Sequence, residues 1–73
     1  MVKFTVPSMG TKTAATWYVV QAALGCEVES DHPHDLYEGT RHCVVKGSES
    51  AEVTLGNLER LGMVEEVESL PDL

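Results

Sequence analysis

The order of hydrophobic periodicities is the feature that most constrains how this 73-residue chain can fold. Residues 2–6 alternate between apolar and polar, which predicts a half-buried strand. Residues 14–24 have the composition of a helix, and Gly25 is placed to end it. Two further alternating runs, 26–30 and 40–46, flank a turn-rich segment and predict an antiparallel hairpin.

The second half of the chain continues with a helix and then a strand. Ser48 is placed as the N-cap of an amphipathic helix that Gly62 closes. Residues 63–70 predict a final strand with a bulge or a frayed edge, because Val64 and Val67 do not fit strict alternation. The order strand, helix, strand, strand, helix, strand predicts a ferredoxin-like α+β fold, in which a four-stranded antiparallel sheet carries two helices on one face.

This pattern fits one small domain over residues 1–73. It contains a loop at 7–13, a hairpin tip at 31–40 and a tail at 71–73.

The charge distribution excludes several classes of partner. Twelve acidic side chains against five basic ones give a net charge of −7, and no two basic residues are adjacent, which argues against binding nucleic acid or an anionic membrane. No apolar run approaches the roughly 18–20 residues of a membrane-spanning helix, and the N-terminus lacks a signal-peptide pattern. We therefore expect a cytoplasmic protein. Its acidity is typical of a surface that maintains solubility or is adapted to a salty cytoplasm, and the alternative is an acidic surface that meets a basic protein partner.

The helix at 14–24 is apolar on most of its circumference. Only Thr16 and Gln21 are clearly polar. One apolar stripe consists of Trp17, Val20 and Leu24, and a second, rotated around the helix from the first, consists of Ala15, Val19 and Ala22. A small domain has little core with which to surround such a helix, so part of it is expected to contact another chain. The residues predicted for this contact are Trp17, Tyr18, Val20, Leu24, Glu27 and Glu29.

The two cysteines, Cys26 and Cys43, are seventeen positions apart and form no CxxC motif. We predict that both are reduced, mostly buried and directed into the core, while one disulfide between them is the less favoured alternative. A nucleophilic cysteine has to be exposed beside a base, so this placement predicts a protein that is not an enzyme.

A cluster of histidines gives an alternative function. His32, His34 and His42 lie within eleven residues of one another, beside Asp31, Asp35 and Cys43. Imidazole, carboxylate and thiolate together suit zinc or a similar divalent ion. Pro33 interrupts the alternation that would place two imidazoles on one face, which favours a solvated hairpin tip instead.

Two short segments resemble known families. The loop Ser8-Met9-Gly10-Thr11-Lys12-Thr13 occupies the position where heavy-metal-associated metallochaperones carry Met-x-Cys-x-x-Cys, but it lacks both cysteines, so the resemblance implies the fold and not copper transfer. Residues 55–66 look like the passage from helix to wing in winged-helix regulators, which implies nucleic-acid binding as a second alternative. The solvent face of that helix shows Glu52, Asn57, Glu59 and Arg60 rather than a basic surface.

The leading hypothesis is a non-enzymatic protein-interaction or regulatory module. A small acidic domain of this kind looks like phage-encoded or accessory proteins that occupy the surface of a host factor. The topology leaves the second and fourth strands at the sheet edges, and pairing of the second strand with a copy of itself would give a homodimer. Glu65, Glu66 and Glu68 oppose such pairing on the last strand.

Overall fold

A computed structural model describes residues 1–71 and contains four strands and two helices. The predicted tail at 71–73 lies, beyond residue 71, outside the described residues. A short 3-10 turn at Gly10–Lys12 precedes the first helix. The elements in chain order are β1 (Val2–Val6), α1 (Thr13–Leu24), β2 (Val28–Ser30), β3 (Arg41–Val45), α2 (Glu49–Arg60) and β4 (Glu65–Ser69).

The four strands form one antiparallel sheet in the order β2-β3-β1-β4. This order places β1 and β3 at the centre and leaves β2 and β4 as edges, which confirms the predicted ferredoxin-like arrangement. The register pairs Phe4 with Cys43 across the two central strands, so that their side chains point to the same face.

A single core lies between the sheet and both helices. The inward face of β1 contributes Val2, Phe4 and Val6, and none of these side chains is more than 1% exposed. They belong to one cluster with residues of both helices, so the two helices cover the same face of the sheet. The helical members are Trp17, Val20, Ala51, Leu55 and Leu58.

The helix ends are where the sequence places them. Gly25 adopts a left-handed conformation (φ 64°) and its N–H donates to the carbonyl of Gln21 at 3.0 Å, which ends α1. The Ser48 hydroxyl accepts the Ala51 N–H at 3.0 Å and so caps α2.

The bulge predicted in the last strand is present. The pairing of β4 with β1 shifts between Lys3 and Thr5, and Glu66 lies there with φ 55°. The Glu66 carboxylate accepts the Thr5 hydroxyl at 3.1 Å, and Thr5 is only 3% exposed. Thr5 lies on the face of the sheet opposite Phe4, as the alternation predicts, but the bulge brings the Glu66 side chain over it and so buries it.

The two cysteines occupy different environments, and neither forms a disulfide. Cys43 is buried as predicted, and burial raises the pKa of its thiol to about 11. Cys26 is exposed, so its predicted core position was wrong. The cause is local: after Gly25 ends α1 the chain bends at Cys26, and β2 begins only at Val28.

Within the described residues, neither helix is long and apolar enough to cross a membrane.

Candidate interaction surface on helix α1

The distribution of polar residues on α1 is inverted relative to an ordinary surface helix. Its threonines face inward, with Thr13 fully buried and Thr16 only 8% exposed. Its outward residues are apolar, including Tyr18 at 56% exposure and Val19 at 45%. We call this surface the outer stripe; it consists of Ala15, Tyr18, Val19, Ala22 and Ala23.

The outer stripe is a continuous helical surface. At 100° per residue its members span about 140° of the helix circumference, and a twelve-residue helix is about 18 Å long. No residue of α1, Thr13–Leu24, carries a charge. Because Trp17 and Val20 fill the opposite side of the helix, α1 is apolar both towards the core and towards solvent.

The predicted contact residues divide into three groups. Trp17 and Val20 lie in the core, at 1% and 0% exposure, and so are not on the surface that a partner could touch. Leu24 is partly buried against the core. Tyr18 is on the outer stripe, and Glu27 and Glu29 are exposed beyond the C-terminal end of α1.

The hairpin tip at 31–40 is held in place by a buried arginine. Arg41 is fully buried, and its Nε and Nη2 donate to the carbonyls of His32 at 3.0 Å, His34 at 2.7 Å and Asp35 at 3.3 Å. Its guanidinium carbon lies 4.7 Å from the centroid of the Trp17 ring. Three carbonyls of one loop thus converge on a single cation, which fixes the loop against α1.

The tip also contacts the outer stripe directly. The Tyr18 hydroxyl donates to the Asp35 carboxylate at 2.8 Å, and this hydrogen bond, with the carboxylate charge, raises the pKa of Tyr18. The adjacent Leu36 is 74% exposed. Leu36 therefore adds a second apolar element at the flank of the stripe, on a loop that Arg41 fixes.

The charges at the two ends of α1 are opposite. Lys12 immediately precedes the helix and is exposed, while Glu27 and Glu29 follow it. Any surface that covers the whole stripe meets a positive end and a negative end.

The three histidines serve different local roles. His32 stacks on the Tyr37 ring at 3.9 Å, and His34 Nδ1 accepts the Leu36 N–H at 3.2 Å. His42 is exposed on β3, between the inward-facing Arg41 and Cys43. In residues 1–71 no group of three His, Cys, Asp or Glu side chains is placed to hold a metal ion. The zinc hypothesis for His32, His34 and His42 stays a prediction.

The helix-free face of the sheet has little of what nucleic-acid recognition needs. Sheets that bind single-stranded RNA stack bases on aromatic side chains of the central strands. Here the corresponding positions of β1 and β3 carry Lys3, Thr5, His42 and Val44. In cross-strand register, Glu68 opposes Lys3 and Glu29 opposes Val44, so acidic residues border this face on both edges.

Comparisons with protein-family models, with curated proteins and with solved structures return no match. The function of this chain is therefore inferred from its own surface chemistry.

Proposed function

We propose that this protein is a non-enzymatic interaction module that binds another polypeptide through the outer stripe of α1. The observation that carries the proposal is the solvent-facing apolar side of a helix whose threonines are buried. Single exposed apolar residues are common on proteins, but an entire helix face without a polar side chain, apart from the Tyr18 hydroxyl, is typical of a contact surface.

The second helix of the same chain provides the comparison. Helix α2 has the same length of twelve residues and packs on the same face of the sheet. It carries four charged residues, whereas α1 carries none. Helix α2 exposes one large apolar side chain, Val53, among charged residues, whereas the outward face of α1 has no charged residue.

Tyr18, Val19 and Leu36 supply the side chains with the most to gain from burial. Moving a fully exposed side chain of this size into a contact stabilises binding by about 1.5–3 kcal/mol, and a side chain that is already partly buried contributes less. Tyrosine is enriched among residues that dominate binding energy, and its hydroxyl is already paired with Asp35.

Site-specific photo-crosslinking tests this proposal in cells that make the protein. A photoreactive residue replaces Val19 on the outer stripe in one variant and Val53, 59% exposed on α2, in the matched control. We expect a discrete polypeptide adduct from position 19 and none from position 53. Equal adducts from both positions, or no adduct from position 19, would contradict the proposal.

A further inference from the structure

We propose that the occupant of the outer stripe is a second copy of this chain, bound with the two α1 helices antiparallel about a twofold axis. This inference rests on the proposed function and names its partner. The axis passes beside the helix midway between Val20 and Gln21 and relates identical surfaces of the two copies.

The outer stripe is complementary to itself in this arrangement. In an antiparallel pair centred between positions 20 and 21, residues whose numbers add to 41 face each other. The bulky Tyr18 and Val19 of one copy then face the small Ala23 and Ala22 of the other. All of these positions are exposed.

Matching large to small residues allows close packing of two helices. Alanine side chains let helix axes approach to the lower end of the usual 8–10 Å separation. Tyr18 and Val19 then fill the space beside the alanines, and because both copies contribute, the interface contains four such contacts between a large and a small residue. A parallel pair would instead place Tyr18 against Tyr18 and leave the alanines facing one another.

The charges favour the same orientation. The helix has no charged residue, so nothing in the centre of the contact repels a second copy of a chain with a net charge of −7. The antiparallel arrangement brings Lys12 of one copy to the end of the helix that Glu27 follows in the other. The remaining repulsion between the two acidic domains is long-range and is screened over about 8 Å at physiological ionic strength.

The size of the surface predicts a weak dimer. A specific interface needs at least about 1,000 Å² in total, or about 500 Å² from each copy. That is about a ninth of the 4665 Å² accessible surface of the chain. A stripe of 140° on an 18 Å helix of about 5–6 Å radius covers about 250 Å², roughly half of that minimum, so we expect a weak, transient dimer with a dissociation constant of about 100 μM.

Disulfide trapping tests the register. In a Cys26→Ser background, Val19→Cys protein is mixed with Ala22→Cys protein, so that a thiol at position 19 of one copy meets a thiol at position 22 of the other. With oxidised glutathione as the oxidant, we expect a covalent dimer whose peptide map shows a 19–22 linkage. The matched control, Val53→Cys mixed with Ala22→Cys in the same background, should give no 22–53 linkage. Trapping at equal rates in both mixtures, or no 19–22 linkage, would overturn the register.

Sedimentation equilibrium tests the dimer itself. We expect Val19→Glu to weaken association at least about 100-fold, because each copy then buries a carboxylate, while Val53→Glu leaves it unchanged. The double variant Val19→Ala/Ala22→Val exchanges the large and small residues of one facing pair and should retain association within about tenfold. Raising NaCl from 50 to 500 mM should tighten the dimer by screening, the opposite of the effect on a basic partner.

Two outcomes separate this inference from the proposed function. If the chain is monomeric up to about 1 mM but position 19 still crosslinks to a different polypeptide in cells, the second-copy proposal is wrong and the interaction module stands. If the chain dimerises but Val19→Glu does not affect it, the dimer uses another surface and the proposal is wrong in that case too.

Discussion

Replacing the buried Arg41 with methionine should destabilise the fold and release the hairpin tip. Methionine keeps an apolar stem of similar length but removes the donors to the carbonyls of His32, His34 and Asp35. Each charge-assisted hydrogen bond contributes about 1.5 kcal/mol. Three of them give about 4.5 kcal/mol.

Part of this loss is recovered. Arg41 Nη1 is buried and has no hydrogen-bond acceptor among residues 1–71. Removing this unpaired donor removes its desolvation penalty, which stabilises the folded state by about 1–2 kcal/mol. The net loss is therefore about 3 kcal/mol. A domain of 73 residues has a total stability of about 4–11 kcal/mol, so Arg41→Met should remain folded but with a large fraction of its stability lost.

Urea unfolding followed by Trp17 fluorescence measures this loss. Trp17 is the only tryptophan and lies against the guanidinium, so it reports on the same contact. With an m-value of about 1 kcal/mol/M, the midpoint should fall by about 3 M. The matched control is Arg60→Met at the exposed end of α2, which should change stability by less than about 0.5 kcal/mol.

Amide hydrogen exchange shows whether the tip responds. The Tyr37 N–H donates to the His34 carbonyl at 3.1 Å and should lose its protection in Arg41→Met but keep it in Arg60→Met. An Arg41→Met protein that unfolds at the wild-type midpoint and protects Tyr37 normally would refute the argument that Arg41 holds the tip.

Four other predictions follow from the structure. Ser48→Ala should cost about 1 kcal/mol in thermal or urea unfolding through loss of the α2 cap, and Ser50→Ala, also exposed but outside the cap, should be close to neutral. At pH 8 iodoacetamide should modify Cys26 alone in the native chain, and detection of modified Cys43 before unfolding would contradict its burial. Burial raises the pKa of the Cys43 thiol from its ordinary value of 9.0 to about 11. The free energy of unfolding should therefore be unaffected by this thiol below pH 9 and should fall as the pH rises from 9 towards 11, because the unfolded chain loses the proton more readily. A free energy of unfolding that stays constant from pH 9 to 11 would contradict this prediction. Calorimetric titration of the metal-free chain with zinc should give no binding heat, and a saturable heat that disappears when all three histidines become alanine would establish the metal alternative instead.

Most of the fold could be predicted because its signals are local. Alternation marks β1 and β3, Gly25 and Ser48 mark helix ends, and the irregular spacing of Val64 and Val67 marks the bulge in β4. The order of these elements then leaves few ways to build one sheet. The prediction for Cys26 was wrong because alternation does not indicate the length of the loop between a helix and the next strand.

The burial of Arg41 illustrates what sequence alone could not resolve. Its position two residues before Cys43 places it on the inward face, but a charged side chain is rarely buried without partners. Those partners are carbonyls of a loop whose conformation no local pattern predicts.

Of the residues predicted for a contact on α1, Trp17 and Val20 face the core. Trp17 and Val20 were included because a helix with few polar residues offers no contrast between its inner and outer faces. Only packing of the sheet against Trp17 assigns the core side and leaves Val19 outside. The second stripe of Ala15, Val19 and Ala22 was the signal in the sequence that pointed to the exposed face.

The relative alkylation rate of two engineered cysteines measures directly whether another chain covers the outer stripe. Val19→Cys and Val53→Cys, each in a Cys26→Ser background, present thiols at exposed positions of the two helices. In dilute purified protein the two thiols should react at similar rates. We predict that in cells the thiol at position 19 becomes several-fold slower than the one at position 53. An unchanged ratio between dilute protein and cells would contradict the claim that α1 is a contact surface.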